Sequence, residues 1–486
     1  MAPIVLSTIT ARYSHSAFGL RYLRANLGRW KEQCVLKEFH LKQTPLFVAE
    51  SILQEKPQIV GLGVYIWNVQ EMTQLAQIIK GVTPQTIVII GGPEVSYEYE
   101  NMPIFQETDY LIRGEGELVF SQLIEAILTG QKPKQKVWAG EIDNLNTIKM
   151  PYDEYTEEDI AHRIIYVESS RGCPFHCEFC LSAIKPGLRF FNKEHFLMEM
   201  RKLIQQGAKN FTFVDRTFNI RDDHALEIIQ FFLKFVKKDM RIHFEIVPDR
   251  LNDRILEEFK KFPDGTLHLE VGLQTVNRKT QELISRRQNL TRTFEVLQFL
   301  KEKTGAKIHA DLVAGMPAET WDSFREGFNY LIEAAPQEIQ LGILKRLRGA
   351  PISRHIEEYQ MVFAPFPPYE ILQTSTLSFE ELQKLKRMAR YLELYYNQGN
   401  FSRSLNLLLQ SDKTAFDAFV KFSDYIWKKT VKTHELSLST LANLLFSYLL
   451  SVKKFPADII ENAVKTDYAQ KSGRTEKLNL SKKSLE

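Results

Sequence analysis

Three of the four cysteines fall within eight residues, in the stretch Ser169-Ser-Arg-Gly-Cys173-Pro-Phe-His-Cys177-Glu-Phe-Cys180. An apolar run with β character, residues 163–168, comes just before them. The spacing Cys-x3-Cys-x2-Cys therefore puts three thiols on one short loop at a strand end. A closed structural zinc site takes four ligands, whereas three thiolates around one inorganic cluster leave a metal corner open for chemistry. The bland alternative is a zinc knuckle completed by His176 or by the remote Cys34, although no second cysteine pair and no His-x3-5-His follows. Four cysteines in 486 residues cannot build a disulfide framework, and a clustered reduced trio suits a cytoplasmic, reducing compartment.

Bulk charge excludes little. Lys plus Arg number 63 against 60 Asp plus Glu, a net +3 that argues for neither a nucleic-acid nor a membrane partner. With 44% hydrophobic residues, large cores are available, and the length suggests about three domains. The first residues lack a basic segment followed by a long apolar run. The strongest late apolar stretch, 441–450, falls short of the roughly 18 residues of a span. Neither a signal peptide nor a membrane helix is expected.

From 1 to about 140 the pattern alternates strand and helix: strands near 4–6, 34–39, 59–64, 86–90 and 110–112, helices near 17–30, 46–54, 69–79 and 117–128. Such repetition predicts a doubly wound parallel sheet with ligands at the carboxyl ends of its strands. Glycines gather there: Gly61-Leu-Gly63, Gly91-Gly92-Pro93-Glu94 and Arg113-Gly114-Glu115-Gly116-Glu117. Each alone is a turn former; together they would let backbone approach a bulky ligand at three strand ends. No Gly-x-Gly-x-x-Gly follows the first strand, which argues against a nicotinamide dinucleotide. Residues 131–162, rich in Lys, Gln, Asn and Pro, read as a linker, and their acidic run 152–159 reads as a solvated helix start.

Further strands recur at 210–214, 242–246, 267–272, 307–313 and 338–343, making six βα units with the run before Cys173. Asp215 ends one of them, as a helix cap or a ligand group. Glu270 interrupts an apolar strand and needs a partner, since burying it unpaired costs several kcal/mol. Lys345, Arg346 and Arg348 read as solvated rim charges, with contact to an anionic substrate as the alternative. Beyond 352 the β pattern stops; helical spacing appears at 378–396, 415–428 and 437–450, and the Lys-rich 469–486 reads as a disordered tail.

The cysteine loop, with Phe179 just before its last cysteine, resembles that of radical S-adenosylmethionine enzymes. The glycine loops resemble those of the cobalamin-binding class of that family, over roughly 1 to 350. The resemblance implies an α/β chain in three parts: a Rossmann-like cobalamin-binding domain (1–140), then after a linker (141–162) a partial (β/α)6 radical barrel (163–351), then a helical domain (352–468). It implies that Cys173, Cys177 and Cys180 hold a 4Fe-4S cluster beside Phe179, with S-adenosylmethionine on the open iron. Asp215 would take its amino group, Glu270 and Gln274 its ribose side, and Gly315 its adenine. Gly63, Gly91, Gly92, Pro93, Gly114, Glu115 and Gly116 would line the cobalamin site. The chain departs from the corrinoid Asp-x-His-x-x-Gly loop, having Tyr13-Ser-His15-Ser-Ala-Phe-Gly19 instead, so ligation of cobalt by His15 is not expected.

The implied activity is methylation of an unactivated carbon of a small molecule: a 5'-deoxyadenosyl radical abstracts hydrogen and methylcobalamin supplies the methyl group. An external electron donor such as flavodoxin or ferredoxin is implied. Two alternatives stand beside this reading. One is another radical reaction, such as ring cyclisation, rearrangement or tRNA modification; the other is a non-catalytic metal-binding or redox-sensing protein.

Overall fold

Strand β1 (Ile4–Thr10) is buried at every residue, as is β3 (Ile59–Gly63). Only a parallel sheet covered on both faces asks for this. The computed structural model describes residues 2–185, 187–470, 478 and 480. The chain divides into two compact units, one of residues 1–245 with 345–353 and 364–370, the other of 246–344 with 354–363 and 371–486.

In the first unit β1 and β3 join β2 (Cys34–His40), β4 (Ile87–Gly91), β5 (Tyr110–Gly114) and β6 (Val137–Gly140) in a parallel sheet of order 2-1-3-4-5-6. Alternate residues feed two cores. Val5, Val60, Val88 and Leu111 pack under the helices Pro45–Leu53 and Val69–Val82, while Ile4, Ile59, Ile89 and Ile112 meet Leu20, Phe120 and Ile124 on the other face. Thr44 caps the helix Pro45–Leu53 by accepting from Phe47 N–H, with proline at the first helical position, where its missing donor costs nothing. Strand order reverses between β1 and β3, which opens a crevice at the carboxyl ends. Strand β6 was hidden in the expected linker because its four residues are short and mostly half-buried.

The stretch 141–162 lies inside the first unit; its acidic run starts a helix with Glu157 and Glu158 exposed, as expected, while Glu154 and Asp159 are docked. Glu154 is buried and paired with Arg24 and Lys31. Asp159 closes a capping box with Thr156 at the helix Glu157–His162 and meets the buried Arg21 at 2.8 Å. Arg21 also binds Glu38 of β2 at 2.8 Å, and Arg163 reaches the same carboxylate at 2.8 Å. Three segments distant in sequence thus share one buried charge network, and only the fold brings them together.

The six strands expected after the linker are all found. The first unit holds β7 (Ile165–Val167), β10 (Asn210–Phe213) and β11 (Arg241–Ile246), with β10 parallel to both of the others. Phe213 and Phe244 pack 4.6 Å apart between them, and Phe218 stacks on Phe244 at 3.9 Å. Between β7 and β10 come β8 (Ser170–Cys173) and β9 (Gly187–Phe190), an antiparallel ribbon that no sequence signal foretold.

The second unit holds β12 (Leu267–Gln274), β13 (Lys307–Ala314) and β14 (Glu338–Ile343), all parallel. The expected helices appear at Phe379–Leu392, Ala415–Thr430 and Leu438–Ser447, and two more at Ser402–Leu409 and Ala457–Ala469. The β pattern does not stop at 352: a small antiparallel pair, β15 (Val362–Phe363) and β16 (Ile371–Gln373), follows, too short for periodicity to register. The expected tail begins as helix at Ala469; apart from residues 470, 478 and 480, the remainder lies outside the described residues.

Replacing Arg21 by Met would leave Glu38 and Asp159 buried with fewer cations. We expect this to cost about 3–5 kcal/mol of unfolding free energy, measured by chemical denaturation. A loss under 1 kcal/mol would show that the network is not a stabilising core.

Candidate functional site

The cysteine loop hangs between β8 and β9, whose register pairs Cys173 with Gly187 and Ser170 with Phe190. The ribbon closes the loop at its base. Cys173 and Cys177 are buried, Cys180 is half-buried beside Phe179, and none forms a disulfide. Cys180 N–H donates to the Cys177 carbonyl at 2.9 Å, and Thr217 Oγ1 lies 3.7 Å from Cys173 Sγ. His176 is exposed. Cys34 is a core residue of β2 whose thiol burial pushes up to about 12, an inert side chain. Among the described residues no three Cys, His, Asp or Glu side chains are gathered into a ready-made ligand set.

Asp215 is buried and serves the base of this loop. It accepts from Ser169 N–H at 3.0 Å, from Ser169 Oγ at 2.7 Å and from Ser170 Oγ at 2.6 Å. Three of its roughly four lone-pair sites are thereby taken. Burial pushes its carboxyl up to about 6, although the two serines pull the other way. It does not cap the following helix, Asp222–Phe235, which has no side-chain cap. His224 lies 3.0 Å from Ser169 Oγ, and burial holds it down at about 4.

A cavity of about 520 Å³ opens at the carboxyl ends of β3, β4 and β5, within the size range of ligand sites. Gly63, Gly91, Gly92, Pro93, Gly114, Glu115 and Gly116 all line it. Gly92 has φ +116°, and a Cβ there would overlap the Val64 carbonyl, so the close turn requires glycine. The floor is apolar, with Leu20, Leu23, Ile89 and Phe120. Sequence reasoning missed Tyr65, Ser96, Glu117, Arg171 and Arg216. Tyr65 and Ser96 lie within a few residues of strand ends and could have been found; the two arginines come from far along the chain and carried no local signal. His15 does not line the cavity: its Nδ1 meets Tyr166 OH at 2.5 Å.

Arg171, two residues before Cys173, forms one wall. Its guanidinium binds Glu168 at 2.6 Å, Glu117 at 2.8 Å and Glu115 at 3.1 Å. Arg189 of β9 reaches Glu115 at 2.8 Å. Burial would raise the Glu115 carboxyl, but Arg189, the Ile142 N–H and Arg171 hold it below its ordinary value. Glu115 therefore acts in the wall through these arginines. The glycine turn after β5 and the strand feeding the cysteines are tied by the same charges.

In the second unit β12 alternates buried Leu267, Leu269, Val271 and Leu273 with half-buried His268, Glu270, Gly272 and Gln274. Glu270 faces His309 in the β13 register. His309 sits 3.0 Å from Asp311; burial works against its charged form, yet Asp311, Glu270 and Glu338 raise its pKa. Glu270 thus belongs to a half-buried ionic group, as an ionisable residue in such a strand must. Gln274 ends the strand at a bulge with φ +67°, stored strain of a kind that gathers at functional sites. Gly315 turns with φ +88° against Ile371, so its lack of a side chain serves packing. Arg346 and Arg348 of the first unit are not solvated rim charges: they pair with Glu98 at 2.7 Å and Glu94 at 3.0 Å.

The family described as B12 binding domain matches residues 4–124 and that described as Radical SAM superfamily matches 167–331. A third, described as a protein of unknown function (DUF4080), matches 357–484. The chain is 26% identical over 371 residues to the cobalamin-dependent radical SAM methyltransferase TokK of Streptomyces tokunonensis, covering 66% of this chain and 53% of TokK. It therefore spans about half the length of that curated relative. It is 24% identical over 383 residues to the hopanoid C-3 methylase of Methylococcus capsulatus, covering 73% and 71%. In fold it is similar to the radical S-adenosylmethionine methyltransferase TsrM from Kitasatospora setae with cobalamin and a 4Fe-4S cluster bound (TM-score 0.61, 16% identity, 76% of this chain and 82% of that one).

The chain combines a B12 binding domain (4–124) with a Radical SAM domain (167–331), the pairing found in the cobalamin-binding class of radical S-adenosylmethionine enzymes. That class implies three cofactors: S-adenosylmethionine, a 4Fe-4S cluster and cobalamin. The residues present fit them. Three thiols on one short loop, none in a disulfide, suit a cluster with an open iron, and a glycine-rimmed cavity with an apolar floor suits a corrinoid. No helix among the described residues is long and apolar enough to cross a membrane.

Glu319, near the end of the Gly315 turn, is buried against Thr275 and Ser323, and burial pushes its carboxyl up to about 7. The folded pKa lies above the unfolded one. The stability it contributes is therefore full below about pH 4.5 and lost as pH rises through 7, on the order of 3 kcal/mol. Glu319→Gln should flatten that part of the stability–pH curve in urea titrations between pH 5 and 7.5. An unchanged slope would assign the dependence to other groups.

Proposed function

We propose that this chain is a cobalamin-dependent radical S-adenosylmethionine enzyme that methylates an unactivated carbon of a small molecule. The observation that carries the reading is the glycine-rimmed cavity and the three-thiol loop, joined within one unit by Arg171. Bound together, the three cofactors supply hydrogen abstraction at a carbon no base could deprotonate and a methyl group to replace the hydrogen.

Cys173, Cys177 and Cys180 hold the cluster, with Phe179 packed beside it. Asp215 fixes the loop base through Ser169 and Ser170 and keeps one acceptor site for the amino group of S-adenosylmethionine. Glu270 and Gln274 face the ribose side and the Gly315 turn the adenine. Gly63, Gly91, Gly92, Pro93, Gly114 and Gly116 let backbone approach the corrinoid, which is held without His15, and Glu115 orients Arg171 in the wall. The reaction takes electrons from an external donor such as flavodoxin or ferredoxin in a reducing cytoplasm.

Two measurements test this. Anaerobic reconstitution with iron and sulfide should give about four irons per chain in the parent and in Cys34→Ala. Cys177→Ala should lose the cluster absorbance and the cleavage of S-adenosylmethionine; cleavage at the parental rate would overturn the assignment. Titration with hydroxocobalamin should show one site, unaffected by His15→Ala. A cobalt(II) spectrum with nitrogen splitting that disappears in His15→Ala would restore the histidine.

A further inference from the structure

The segment after β14 engages both cofactor loops of the first unit. Arg348 donates to Glu94 at 3.0 Å and to the Glu98 carbonyl at 3.1 Å, and Arg346 pairs with Glu98 at 2.7 Å. Gly349 N–H donates to the Glu98 carboxylate at 3.0 Å. Tyr369 OH donates to Glu94 at 2.8 Å, accepts from Arg348 at 3.0 Å and lies with its ring under that guanidinium. Three residues past Gly349, Ile352 N–H donates to the carbonyl of Glu178, inside the cysteine loop, so that residues 345–352 form a strap across both loops.

Glu94 is buried and follows Gly92 and Pro93, which line the cavity; Glu94 does not. The loop is thus held from both sides. Toward the cavity, Ser96 Oγ donates to the Gly92 carbonyl at 2.9 Å and accepts from Gly114 N–H at 3.3 Å. Away from it, the carboxylates of Glu94 and Glu98 are gripped by the strap. A loop that buries the Glu94 carboxylate would not hold one conformation without a cation beside it, and Arg348 is that cation.

We propose that Arg348, Tyr369 and Arg346 are positioning residues for the corrinoid site, and that the strap 345–352 sets the Gly92–Glu98 loop relative to the cysteine loop through Glu178. This rests on the cavity being the corrinoid site. Arg346, Arg348 and Tyr369 do not line the cavity, so their effect reaches the ligand through Glu94 and Glu98.

The test is equilibrium titration of the full chain with hydroxocobalamin, alongside amide hydrogen exchange and the melting temperature of the corrinoid-free protein. Arg348→Gln should weaken binding about tenfold or more, the scale of one charge-assisted hydrogen bond. It should also speed exchange over 92–98 and 176–180. Tyr369→Phe removes one hydroxyl and should do the same to a lesser degree, about threefold, with little change in melting temperature. Arg348→Lys, which keeps the charge, should recover part of the affinity. Affinity within twofold of the parent would overturn the proposal, as would a lowered melting temperature with affinity and exchange unchanged. If Arg348→Gln does not fold, Tyr369→Phe decides by the same criteria. A parent that binds no hydroxocobalamin would instead overturn the corrinoid reading on which the inference stands.

Discussion

The Arg171 guanidinium, between Glu115, Glu117 and Glu168, is the interaction on which the first unit's site depends. A cation with three carboxylates about it in a partly buried wall is stable only because each opposite charge is close and hydrogen-bonded. Its consequence is geometric. Glu115 and Glu117 belong to the turn that ends β5, and Arg171 belongs to the strand that delivers Cys173, so a glycine-lined cavity and a thiol loop are held by one set of charges. The cavity and the thiol loop cannot drift apart when the same guanidinium anchors both.

Buried charge recurs as the means of joining segments in this unit. Arg21 ties the first helix to Glu38 and to the capping box at Asp159; Arg348 ties the strap to Glu94. Arginine suits all three places because its planar fork meets two acceptors at once and never loses its proton. Hydrophobic burial builds the sheet and its helices, but it is not directional. The charged forks fix which loop meets which.

Some of the site was legible because its chemistry is local. Cys173, Cys177 and Cys180 sit on one loop whatever the fold, since seven peptide bonds cannot carry them far apart. Gly91, Gly92 and Gly114 were legible because glycine at a strand end has a local conformational meaning. Other residues changed role once their neighbours were known. Asp215, read as a helix cap or a ligand group, spends most of its acceptors on Ser169 and Ser170. Arg346 and Arg348 looked like rim charges because their carboxylates lie some 250 positions earlier. Glu270 was recognised as needing a partner, but His309 could be named only from the β13 register.

By itself the sequence determined the main parallel strands, the long helices and the local chemistry. Apolar periodicity set the βα units, glycine spacing set the open strand ends, and the Cys-x3-Cys-x2-Cys spacing put three thiols on one loop. These are properties of a few consecutive residues, carried by backbone preference and side-chain spacing. Tertiary structure decided everything that pairs across distance. It recruited Arg171 and Arg216 to the cavity, buried Glu154 and Asp159 of the acidic run, revealed the ribbon β8–β9, and placed the strap on Glu94 and Glu98. The physical reason is that a charge or hydrogen-bond donor has no partner written beside it in the chain; the partner is chosen by burial, which removes water as the alternative and leaves the opposite group as the only acceptable neighbour.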